Sequence, residues 1–85
     1  MDTRHIKAAV AVAAHGTFTE AARELFMAQS TLSRQVAALE REVGGPLFVR
    51  GTRSVTLTPR GAAFLPHAER LLKAVDDAER AARTA

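Results

Sequence analysis

Within six consecutive positions this chain places Gln29, Ser30, Thr31, Ser33 and Arg34. Amide, hydroxyl and guanidinium groups at that density suit two targets, the base edges in a DNA groove and the phosphates beside them. A second group follows. Arg50, Arg53 and Arg60 fall in a stretch between Val43 and Ala68 that holds no acidic residue. A basic stretch beside such a polar segment is the electrostatic footprint of polyanion binding. For that stretch taken alone, a solvated surface loop is the lesser alternative.

The residue types of covalent catalysis do not assemble. Ser33 has no histidine and acid arranged beside it to activate its hydroxyl. His5, His15 and His67 lack the i, i+4 pairing or carboxylate companion of a metal site, and no cysteine offers a thiolate. Glu40 and Glu42 suit the orientation of arginines better than acid–base work. No glycine-rich phosphate loop is present. The chain reads as a non-enzyme with no catalytic residue, no metal and no cofactor.

The polar cluster needs a helix to carry it. Leu32, Val36, Leu39 and Val43 are spaced four, three and four apart, one stripe of a helix over 29–43 that stops at Gly44. At about 100° per residue, Ser30, Arg34, Ala37 and Arg41 take the opposite side, with Thr31 and Ser33 flanking them. Before it, a helix opening at Thr19 would bury Ala21, Ala22 and Leu25, and residues 26–28 form the turn. Thr19 is expected to cap the amides of Ala21 or Ala22. Two adjacent alanines let another helix approach closely. A first helix over 3–14, capped by Asp2 or Thr3 and ended by Gly16, has Ile6, Ala9, Val10 and Ala13 at helical spacing.

After Gly44-Gly45-Pro46, segments 47–50 and 54–57 are strand-like and joined by a turn at Gly51, a β-hairpin. Phe48, Val55 and Leu57 are expected to pack down while Arg50 and Arg53 project. Thr58-Pro59 then reads as a cap and first helical position. From there Phe64, Ala68, Leu71, Val75, Ala78 and Ala82 repeat 4-3-4-3-4, a heptad-like seam that suits a dimer or packing on its own domain. Pro66 should kink that helix or remove one of its hydrogen bonds.

The fold class is therefore mostly α: three helices and a two-stranded wing over residues 1–58, then a long linker helix over 59–85. One small domain fits 85 residues that are 47% hydrophobic. The net charge of +3 is modest, though ten of the twelve basic residues are arginine. No apolar run approaches the ~20 residues of a membrane span. Asp2 and the helical spacing after it argue against a signal peptide, and a cytoplasmic location is expected. The apolar pattern runs to Ala82 with no closing glycine, as in a chain that continues.

Two motifs, AAHGTFTEAARELFMAQSTLSRQVAALEREVGGPLFVR and RSVTLTPRGAAFLPHA, resemble the amino-terminal domain and linker helix of LysR-type bacterial transcriptional regulators. The resemblance covers nearly the whole chain in order and spacing. It implies a winged helix-turn-helix and a homodimer through the linker helix, with a tetramer in the full-length protein as a further option. The partner it implies is double-stranded DNA carrying an interrupted palindrome. It puts Gln29, Ser30, Thr31, Ser33 and Arg34 where such proteins meet the major groove and its phosphates. Arg50 and Arg53 match the wing, Arg53 near the minor groove. Any small-molecule inducer would bind a carboxy-terminal domain that lies outside these residues. Two positions depart from the family pattern: Ala28 stands where a serine or threonine cap is usual, and Ser30 where proline or a small residue is common. A winged helix used only for protein association is the competing reading.

Overall fold

The computed structural model describes residues 1–85 as α1 (Thr3–His15), α2 (Phe18–Glu24), α3 (Gln29–Val43), β1 (Phe48–Arg50), β2 (Val55–Leu57) and α4 (Pro59–Thr84). α1 starts and stops for local reasons. Asp2 caps α1, its carboxylate accepting from the Arg4 amide at 2.8 Å and from the Arg4 guanidinium. Hydrogen bonds from the Arg4 side chain, then from its backbone, hold the Asp2 carboxyl well below its ordinary range. That contribution to stability is complete above the unfolded carboxyl pKa and is lost as the pH falls through the lowered value. Gly16 ends α1 at φ 79°, a left-handed conformation that costs glycine least. Its carbonyl then accepts from Val55 N at 2.8 Å, tying the end of α1 to β2.

α2 starts one residue earlier than the sequence suggests. Thr17, not Thr19, is the cap, and its hydroxyl accepts from Glu20 N at 3.0 Å. The Thr-x-x-Glu pattern of residues 17–20 is the signal that marks it. The turn to α3 holds Phe26 at φ 53° with its side chain 97% exposed. A left-handed aromatic residue with nothing buried in return is locally unfavourable. α3 runs over Gln29–Val43 and ends at Gly44, φ 94°.

The core lies where α1, α2 and α3 meet. Ile6 and Ala9 are buried as their spacing predicts, joined by Ala8 and Val12, and Val10 and Ala13 are partly covered. Leu32, Val36 and Leu39 are buried along one stripe of α3, while Val43 lies at its edge. Each such side chain contributes about 1.5–3 kcal/mol on leaving water.

β1 and β2 form one antiparallel ribbon with Phe48 opposite Leu57, Val49 opposite Thr56 and Arg50 opposite Val55. Side chains alternate along a strand, so Arg50 lies on the same face as Phe48 and Val55, contrary to the expected projection away from them. Leu57 shares that face but sits at the rim of a shallow apolar groove between α1 and α4 and stays 44% exposed.

α4 opens on Thr58, whose hydroxyl accepts from Gly61 N at 3.0 Å and donates to Pro46 O at 2.7 Å. Its 26 residues, at ~1.5 Å each, account for most of the 48 Å long axis. The helix runs unbroken through Pro66, which removes one backbone donor at an exposed position. Gly61, Leu65 and Ala68 are buried and Leu72 packs against the same core. Gly61 has no alternative here, because a Cβ would overlap the carbonyl oxygen of buried Leu47. Gly61→Ala is expected to lower stability by about 1–3 kcal/mol, the usual cost of overpacking, as a fall in the urea midpoint at unchanged m-value.

Candidate nucleic-acid interface

α3 is held by one face and by its C-terminal end. Glu40 Oε2 accepts from the amide of Leu47 at 2.7 Å, a charged acceptor for a backbone donor leaving the loop after α3. Arg60 Nη1 donates to Val43 O at 3.0 Å, placing a cation where the helix carries partial negative charge. Glu42 meets the amino terminus of Met1 at 3.5 Å. Thus Glu40 and Glu42 do not orient arginines, and Arg60 serves the helix end rather than joining Arg50 and Arg53. All three contacts link residues distant in sequence or a chain terminus, which spacing alone does not show.

The N-terminal end is different. Ala28 has the extended backbone of a cap, φ −68° and ψ 143°, but no side-chain acceptor. The first-turn amides of α3 are therefore left to solvent or to an incoming oxygen. Gln29, Ser30 and Arg34 are exposed there, with Thr31 and Ser33 partly covered. Arg34 Nη2 donates to Thr31 Oγ1 at 3.3 Å, a weak tether that leaves most of the guanidinium open.

Beside that end lies a polar cleft of about 190 Å³ between the start of α2 and the wing. Gln29, Arg50 and Arg53 line it together with Thr17, Thr19 and Ser54. The structure thus brings together residues of α2, α3 and the wing that the sequence places up to 37 positions apart (Thr17 to Ser54). Arg50 is fixed within it. Its guanidinium carbon lies 3.8 Å from the Phe18 ring centroid, over the negative face of the aromatic ring. Phe18 in turn meets the Phe48 ring edge-on, centroids 6.3 Å apart and planes at 78°. An Arg stacked in this way loses less freedom on meeting a phosphate than a mobile one. Phe18 and Thr19 were not among the residues the sequence singled out for the site. Their role depends on the wing folding back over α2.

The predicted seam on α4 divides. Ala68 is buried against its own domain and Phe64 partly so, whereas Leu71 is 44% exposed, Val75 is half-covered, and Ala78 and Ala82 are exposed. The lone stretch beyond Leu72 is laced by Lys73–Asp77 at 2.9 Å and Arg80–Asp76 at 2.6 Å. These four-residue pairs support a helix with no core beneath it. No helix of the chain is long and apolar enough to cross a membrane.

Two helices across a tight turn, with a ribbon of two strands beside them, define a winged helix-turn-helix domain. The family model "Bacterial regulatory helix-turn-helix protein, lysR family" matches residues 3–62. The chain belongs to that family. A probable cat1 operon transcriptional activator of Acinetobacter lwoffii is 46% identical over 83 residues, 98% of this chain and 27% of that relative. Among solved structures, the BenM_DBD/catB site 1 DNA complex superposes with a TM-score of 0.93 at 42% identity, covering 99% of this chain and 94% of that one. The CbnR_DBD–DNA complex does so at 0.91 and 36% identity, covering 99% and 97%. This chain spans about a quarter of the length of the Acinetobacter relative.

The Glu40–Leu47 bond joins α3 to the wing, so its removal tests how α3 is anchored. Glu40→Ala is expected to cost about 1–3 kcal/mol, the penalty for leaving a buried backbone donor unpaired, measured by urea unfolding.

Proposed function

We propose that this chain is the DNA-reading part of a homodimeric bacterial transcription regulator acting in the cytoplasm on double-stranded DNA. The outer face of α3 enters the major groove, with Gln29, Ser30, Thr31, Ser33 and Arg34 meeting base edges and adjacent phosphates. Arg50, stacked on Phe18, meets the backbone, and Arg53 reaches toward a neighbouring minor groove. There a narrow A·T tract would concentrate negative potential. Two copies joined along α4, through Leu71, Val75, Ala78 and Ala82, present two such surfaces to an interrupted palindrome. Phe64 and Ala68 form the base of the same seam. A small-molecule inducer and any tetramer belong to a longer protein of which this is one part. The chain works by binding, not by turnover.

One observation carries the reading. Gln29, the first residue of α3, lines one cleft with the wing arginines Arg50 and Arg53, so the start of α3 and the wing can address one duplex together. Similarity to BenM and CbnR domains solved with DNA supports it. The test is a titration with duplexes selected from a random pool, at two salt concentrations. Neutralised phosphates release counterions, so the affinity should fall steeply with salt. A flat salt response with no sequence preference would leave only the protein-association reading.

Arg34 is exposed and makes only the weak Thr31 contact, so folding does not require it. Arg34→Ala is expected to lose about 1–3 kcal/mol of affinity for the selected duplex with an unchanged melting temperature. An unchanged affinity would remove Arg34 from the interface. For the dimer, Leu71→Glu would bury an unpaired carboxylate between the α4 helices. Sedimentation should show monomers, with the domain still folded; a dimer that persists at micromolar concentration would place the interface elsewhere.

A further inference from the structure

Thr19 stands at the second position of α2 and is exposed. Since Thr17 caps that helix, the Thr19 hydroxyl is not needed there. Its Oγ1 donates instead to Gln29 Oε1 at 3.1 Å, across ten positions of sequence and from α2 to the first residue of α3. Gln29 has no side-chain hydrogen bond within its own helix. It follows Ala28, which supplies no cap, and its side chain is exposed at the cleft beside the wing.

A glutamine amide has two chemically different ends, an oxygen that accepts and an NH₂ that donates twice. Alone, its rotatable bonds would let either end face a base, and fixing it on binding would cost side-chain entropy. With the Thr19 hydroxyl on Oε1, Nε2 has no acceptor within the chain and is the end left to act outward. We propose that Thr19 is a positioning residue for Gln29, holding its amide as an outward donor and thereby setting the base preference at one operator position. This rests on the reading of α3 as the groove-facing helix. An outward NH₂ is satisfied by guanine O6 and N7, adenine N7 or thymine O4. Cytosine offers an amino donor at the same place and is disfavoured. The preference would thus be set from α2, by a residue that itself contacts no base.

The experiment selects bound sequences from a random duplex pool with the 85-residue chain, Thr19→Val, Thr19→Ser, Gln29→Ala and the Thr19→Val/Gln29→Ala pair. Valine keeps the branched shape of threonine at this exposed site and removes the donor; serine keeps the donor. Thr19→Val is expected to melt with wild type and to bind the preferred duplex about three- to tenfold more weakly, the scale of one intramolecular hydrogen bond. Its discrimination against cytosine should collapse at one base pair only. Thr19→Ser should restore it, and in the Gln29→Ala background Thr19→Val should change nothing.

An identical base profile for wild type and Thr19→Val overturns the proposal. So does a uniform loss across all sequences with a shallower salt slope, which would make Thr19 a phosphate contact. If wild type shows no sequence preference, the DNA-reading function and the role of Thr19 fall together. A wild-type preference that survives Thr19→Val removes the role of Thr19 alone.

Discussion

Everything in this domain depends on α3 being gripped from one side. Leu32, Val36 and Leu39 bury a single stripe against α1 and α2, where Ala8, Ala9, Ala21 and Ala22 keep the helices close. A helix held this way has half its circumference to offer. Its two ends are also unequal. The C-terminal end is closed by Gly44, Arg60 and the Glu40–Leu47 bond, while the N-terminal end has no capping side chain. The constrained end faces the protein, and the end with open amides carries Gln29 and Ser30.

The wing is supported by contacts outside itself. Two strands of three residues cannot stand alone in water. Here the ribbon leans on the rest through the Phe18–Phe48 edge contact, the Val55 N–Gly16 O bond, and Leu47 pressed against Gly61. Arg50 gains a fixed position from the same packing, because the strand period turns it onto the aromatic face. The ribbon that carries Arg50 is therefore tied to the same packed body that holds α3.

The sequence made legible what local rules decide. The α3 stripe, the glycine stops at 16 and 44, and the Thr58-Pro59 start of α4 all follow from periodicity and capping, and each stands where expected. The exposed residues proposed to read DNA, Gln29, Ser30 and Arg34, follow as the complement of that buried stripe. What stayed hidden depends on distant partners. The sequence offers Thr19 as the cap of α2; Thr17 takes that place, and only the fold of α3 beside it shows that Thr19 bonds Gln29 instead. Arg60 and Glu40 read as members of charged groups, but each meets a backbone group brought near by the loop after α3. On α4, Leu65, Ala68 and Leu72 form an inward stripe that overlaps the dimer-like repeat. Two apolar patterns offset by one residue and sharing Ala68 cannot be apportioned without knowing which neighbour is in place.

The central claim is that the open end of α3 and the wing form one surface for duplex DNA. Mapping amide shift changes in a ¹⁵N-labelled chain during titration with a selected duplex tests it most directly. The changes should concentrate at 28–34 and at 50–54, leaving the middle of α1 and the last turns of α4 unmoved. Changes confined to α4, with residues 28–34 silent, would contradict it.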